Sequence, residues 1–167
     1  VRQWPATEPT PDDRAIGLLI AAQIEDGACL QIGIGAMPNA VCSLLVDSGV
    51  RDLGVHTEML TDGIIDLYRA GVVTGAAKTS NPGKIVCSFG IGSKSMYYAI
   101  DHNPAIPCQL ADRTTLPPLL MQNTRPIANH TTTHQDRRDQ SARKDTTPQH
   151  HTRTRLQPPT PPHAEDP

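Results

Sequence analysis

Three short apolar runs in this chain each end in a glycine-bearing turn and then give way to a helical pattern. Cys29-Leu30-Gln31-Ile32 breaks at Gly33-Ile34-Gly35, after which Pro38-Asn39 opens a helix running to Leu45 or Val46. Leu53-Gly54-Val55-His56-Thr57 closes in Glu58-Met59-Leu60, and Thr61-Asp62-Gly63 turns the chain into a short helix over 64–70. After the tight turn Asn81-Pro82-Gly83, the run Lys84-Ile85-Val86-Cys87-Ser88-Phe89 passes through Gly90-Ile91-Gly92-Ser93 into a helix over 94–101. Short runs without polar alternation fit strands buried on both faces, so the expectation is an α/β fold with a largely parallel sheet. A helix precedes them. Thr10-Pro11-Asp12-Asp13 supplies a hydroxyl cap, a proline at the first helical position and acids at the positive end. Ile16, Leu19, Ile20 and Ile24 then recur at helical spacing until Asp26-Gly27 stops the run.

Composition changes abruptly at Ile106. All 12 glycines and all 5 aromatic residues lie in 1–106, whereas 107–167 holds 10 of the 16 prolines, 5 of the 7 histidines, one isoleucine and no valine. So few apolar side chains cannot offset the entropy of ordering a backbone, so a disordered C-terminal tail is expected. The organisation read from sequence is a Pro-rich lead-in over 1–10, a domain or part of one over 11–106, and a tail over 107–167. His130, His134, His150 and His151 make the tail His-rich, but their spacing suits no regular metal site. Its net charge of +2, without aromatic residues for stacking, is weak ground for an RNA-binding arm.

Residues 1–106 carry 7 basic and 11 acidic side chains, a field too weak to indicate nucleic acid or an anionic membrane. Cys29, Cys42, Cys87 and Cys108 lack CxxC spacing and sit mostly in apolar runs, as thiols in a reducing compartment do. With no apolar run long enough to span a bilayer, a cytoplasmic or organelle-matrix protein is expected.

Ligands of open α/β sheets gather at the carboxyl ends of strands, which here means the loops 33–39, 56–63 and 90–93. The first fails as a dinucleotide fingerprint, because Pro38 stands where a third glycine belongs. It reads either as a tight strand-to-helix turn or as a loop whose glycines let a ligand approach the backbone. The second holds Glu58 at a strand end, flanked by His56 and Asp62. A carboxylate there serves as nucleophile, base or solvated loop acid, and the three match no metal signature. For His56 the reading is a hydrogen-bonded structural imidazole. For the third loop it is a packing turn.

Taken jointly, the motifs resemble a family. Gly33-Ile34-Gly35-Ala36-Met37-Pro38-Asn39-Ala40, then Leu53 through Gly63, then Asp66-Leu67, Lys78-Thr79, Pro82-Gly83-Lys84-Ile85-Val86, Ser88-Phe89 and Gly92-Ser93 are similar, in order, to the acetyl-CoA hydrolase/transferase family, nearest its 4-hydroxybutyrate CoA-transferase-like members. The resemblance covers 11–106 and implies an incomplete CoA-transferase-like domain, the opening of the second of two similar α/β domains. It implies Glu58 as the catalytic glutamate, and Gly33, Gly35, Met37, Pro38 and Asn39 as the loop lining the CoA and acyl site. The implied partners are an acyl-CoA and a short carboxylate such as acetate. Coenzyme A is substrate, with no further cofactor and no metal, and the complete enzyme leaves room for a homo-oligomer. An acyl-CoA hydrolase and a non-catalytic fragment are the alternatives. Nothing in 107–167 matches the family's later oxyanion and CoA-binding elements, and translation in a shifted reading frame would produce such a break.

Overall fold

A computed structural model describes residues 2–4, 7–123 and 125–129. Helix α1 (Pro11–Ala21) begins with a reciprocal cap. The Thr10 hydroxyl accepts from Asp13 N, and the Asp13 carboxylate accepts from Thr10 N at 2.9 Å. Strand β1 (Cys29–Ile32) is buried at every position, as an unalternating apolar run requires. Helix α2 (Ala36–Val46) starts two residues before the expected Pro38. Gly35 is the reason: at φ +128 it turns the chain sharply, and its carbonyl accepts from Asn39 N at 3.2 Å. Pro38 then falls in the first turn, where a missing N–H costs nothing.

Strand β2 (Gly54–His56) continues through a break into β3 (Met59–Leu60), which leads to helix α3 (Asp62–Arg69). The expected strand over 84–89 breaks likewise, into β4 (Ile85–Val86) and β5 (Phe89–Gly90), before helix α4 (Lys94–Ile100). Two parallel sheets result. β4, β2 and β1 lie side by side in the larger one, and β3 pairs with β5 in the smaller. The register crosses the break unchanged, with His56 opposite Val86 before it and Met59 opposite Phe89 after it.

The helices stack in chain order, α1 on α2, α2 on α3 and α3 on α4. Leu30, Leu45, Leu53, Leu60, Ile64, Leu67 and Met96 are buried between helices and sheet. Each such side chain contributes about 1.5–3 kcal/mol relative to an exposed one. Among the described residues, no helix is long and apolar enough to cross a membrane.

The packed unit does not end at Ile106. That residue is itself in the core, and the chain around it runs beside β4: Ile85 N donates to Ala105 O at 2.8 Å, and Gln109 N to Cys87 O at 2.7 Å. Helices α5 (Ala111–Thr115) and α6 (Pro117–Leu120) follow, then strand β6 (Pro126–Asn129), which pairs in parallel with β1 and completes the order β4-β2-β1-β6. Described structure therefore continues into the segment expected to be tail, over 107–123 and 125–129. The histidines at 130, 134, 150 and 151 lie outside the described residues. The lead-in is also engaged: Trp4 N donates to Gly92 O at 3.1 Å, and Tyr97 Oη to Arg2 O at 3.2 Å.

Replacing Leu45, which is fully buried, with alanine should lower unfolding free energy by about 2–5 kcal/mol. Thr10→Ala, which removes only the cap, should cost about 1 kcal/mol. Urea unfolding of the two variants beside the parent chain measures both.

Candidate active site

Strand β2 leaves the larger sheet at Thr57. The buried Thr57 hydroxyl donates to Ile32 O at 3.0 Å, which ties the end of β2 to the end of β1 one residue before Gly33. Glu58 comes next, and its carbonyl accepts from Ser88 N at 2.8 Å and Phe89 N at 3.3 Å. The glutamate backbone is thus clamped between the glycine turn of β1 and the broken end of β4. Its side chain is half-buried, and no hydrogen bond or ion pair among the described residues engages the carboxylate.

In the first loop, Gly33 and Gly35 are half-buried and Ile34 between them is exposed. The other three residues of that candidate set have structural contacts. Pro38 is buried in the first turn of α2, Met37 packs against the core, and Asn39 Nδ2 donates to Thr7 O at 3.3 Å.

The third loop is shaped by Asp62. Its carboxylate accepts from Ser93 N at 2.8 Å and from Ser93 Oγ at 2.6 Å, while Ser93 Oγ accepts from Met96 N to cap α4. Gly92 is required there, because a Cβ would lie 2.5 Å from Asp62 Oδ2. Asp62 therefore welds α3 to α4.

His56 is buried at the end of β2. Its Nε2 donates to Arg113 O at 2.8 Å, and its Nδ1 accepts from Asn123 Nδ2 at 3.4 Å. Both ring nitrogens are occupied by a neutral imidazole, which is the structural histidine the sequence suggests. Burial lowers its pKa; the Arg113 carbonyl opposes that shift and the Lys78 charge adds to it. Lys78 is itself buried, with Nζ donating to Val55 O at 2.8 Å and Lys84 O at 2.7 Å, and burial brings its pKa down to about 8.

Sequence reasoning missed the residues that fix Glu58 in place. Thr57 appears in sequence as an ordinary strand residue. Ser88 also bonds through Oγ to Thr114 Oγ1 at 2.5 Å, and Thr114 is fully buried although it lies in the segment read as tail. A hydroxyl next to a glutamate at a strand end was the one available signal.

The arrangement is that of an open, parallel α/β domain whose glycine turn and acidic residue meet at the carboxyl ends of its strands. No family model matches the chain. The 4-hydroxybutyrate coenzyme A transferase of Clostridium kluyveri is 43% identical over 111 residues, which is 66% of this chain and 25% of that protein. The butyryl-CoA:acetate CoA-transferase of Anaerostipes caccae is 46% identical over 95 residues, 57% of this chain and 21% of that one. An acetyl-CoA hydrolase of Yarrowia lipolytica is 43% identical over 51 residues, 30% of this chain and 10% of that protein. Among solved structures, the 4-hydroxybutyrate CoA-transferase of Porphyromonas gingivalis superposes with a TM-score of 0.68 at 40% identity, covering 74% of this chain and 32% of that one. Over the residues matched the chain is similar to CoA-transferases and acetyl-CoA hydrolases, and it spans about a quarter of the length of the transferases it matches.

The neutral state of His56 has a pH consequence. Above about pH 6.5 the imidazole is neutral in both folded and unfolded chains. Below that, the unfolded chain takes up the proton first, so stability should fall as pH drops from 6.5 towards 5. Denaturant unfolding across this range should show the slope, and His56→Asn should flatten it.

Proposed function

We propose that this chain carries the nucleophile-bearing part of a CoA-transferase, with Glu58 as the nucleophile. The observation that supports the reading most is the clamp on Glu58. Its main chain is held by Ser88 and Phe89, the residue before it is tied to the glycine turn of β1, and its carboxylate is left uncommitted among the described residues. A nucleophile needs that combination of fixed position and unspent electron pair.

The reaction follows from the carboxylate. A Glu58 oxygen attacks the carbonyl carbon of an acyl-CoA thioester, and the C–S bond breaks to give a mixed anhydride and CoA thiolate. The thiolate then attacks the Glu58 carbonyl, forming a glutamyl-CoA thioester and releasing the first acid as its carboxylate. An acceptor such as acetate reverses the sequence and leaves as the new acyl-CoA. The acyl-CoA and the glutamyl-CoA are both thioesters of similar energy, so the half-reaction as a whole is nearly balanced, with the mixed anhydride as its high-energy intermediate. Coenzyme A is substrate throughout, and the steps as written use no metal. The turn at Gly33–Gly35, half-buried at its glycines and exposed at Ile34, lets a thioester approach the backbone near Glu58. The setting assigned to this chemistry is the cytoplasm.

A second reading, acyl-CoA hydrolysis, draws support from the 51-residue likeness to an acetyl-CoA hydrolase. Water would then intercept the glutamyl thioester. Addition of acetate separates the two: transfer requires an acceptor acid, whereas hydrolytic CoA release is indifferent to it.

Incubating the chain with butyryl-CoA should give a CoA adduct on the tryptic peptide 52–69, which contains Glu58. Borohydride should reduce the adduct, and Glu58→Gln should abolish it. A folded chain that forms no adduct would show that it does not carry out the half-reaction alone, in favour of a non-catalytic fragment.

A further inference from the structure

Two thiols lie together at the strand break, outside the proposed chemistry. Cys87 is buried where β4 gives way to β5, and Cys108 is exposed beside it with the sulfurs 3.8 Å apart. Their backbones already face each other as a parallel bridge, held by Cys87 N to Pro107 O at 3.4 Å and Gln109 N to Cys87 O at 2.7 Å. A disulfide needs sulfurs at about 2.05 Å, so the gap to close is less than about 2 Å. Side-chain rotation supplies that without unpairing the backbone.

We propose that Cys87 and Cys108 are an oxidation site that closes into a reversible disulfide, fastening the 105–109 segment covalently to the end of β4. The two sulfurs have different access to solvent. Burial, followed by the neighbouring Cys108 thiol, pushes Cys87 up to about 12, so it stays protonated and shielded. Cys108 meets the oxidant first. A hydroperoxide transfers one oxygen to Cys108 Sγ, giving a sulfenic acid and an alcohol or water. Cys87 Sγ then attacks the Cys108 sulfur, the S–O bond breaks, and the hydroxide leaves as water with the Cys87 proton. A dithiol reductant returns both thiols. The next residue, Ser88, donates its N–H to the Glu58 carbonyl, so the bond would form one residue from that clamp. The inference rests on the sulfur geometry and holds whether or not Glu58 is a nucleophile.

The test treats the purified full chain with a few equivalents of hydrogen peroxide, blocks remaining thiols with iodoacetamide, and digests it with trypsin without reduction. The expected product is peptide 85–94 joined to peptide 95–113 with the loss of two hydrogens, reversed by dithiothreitol. It should be absent in Cys108→Ser, an exposed position whose replacement leaves the core intact. Cys29 and Cys42, both buried, should be alkylated only after unfolding. Recovery of Cys108 as a sulfinic acid, with Cys87 still a free thiol that iodoacetamide alkylates once the chain is unfolded, would overturn the proposal. So would a Cys108–Cys108 bond between two chains.

Discussion

The step from Thr57 to Glu58 organises this domain. One hydroxyl–carbonyl bond, from Thr57 to Ile32, joins the ends of two neighbouring strands. One carbonyl, that of Glu58, receives two amides from the strand on the other side. Between them these contacts turn β2 out of the larger sheet and start the smaller one. They also define where a side chain at position 58 must stand. Without the step, β2 and β4 would run straight on and Glu58 would be one more residue on a sheet face.

Much of the framework was legible from local chemistry. The bounds of β1 and the starts of α1 and α4 follow from caps, glycines and apolar runs that act within a few residues. The splitting of two strands was not, because it depends on Ser88 and Phe89 reaching a carbonyl thirty residues earlier. The start of α2 was misjudged for a related reason. Pro38 looks like a first helical residue, but the positive φ of Gly35 had already turned the chain. At the candidate site, Glu58 and the glycine turn could be read from motif order. The tie between them could not, since a threonine in a strand looks the same whether or not its hydroxyl reaches the neighbouring strand.

Residues 107–129 show how composition misleads. Low apolar content argues against a core, and this segment indeed adds little apolar surface. It is attached instead by polar groups that leave no periodic trace: the Arg113 carbonyl on His56, the Thr114 hydroxyl on Ser88, and the Asn123 amide on the far side of the same imidazole. Thr114 and Asn123 are buried, so each bond forms away from competing water. A segment held in this way depends on a few groups having the right protonation and geometry rather than on summed area.

The pairing of β6 with β1 bears on how the chain is made. The two strands meet across about a hundred residues of sequence, Cys29 opposite Pro126. Proline suits that first position, having no N–H to offer the ladder. A chain emerging from the ribosome thus carries β1 with one bare edge until about a hundred further residues have been made. That edge is a row of unanswered amides and carbonyls flanked by apolar side chains. Parallel pairings of such long range form slowly. The most exposed moment of this molecule is therefore its own birth, when a nascent β1 can join the wrong strand before the right one exists.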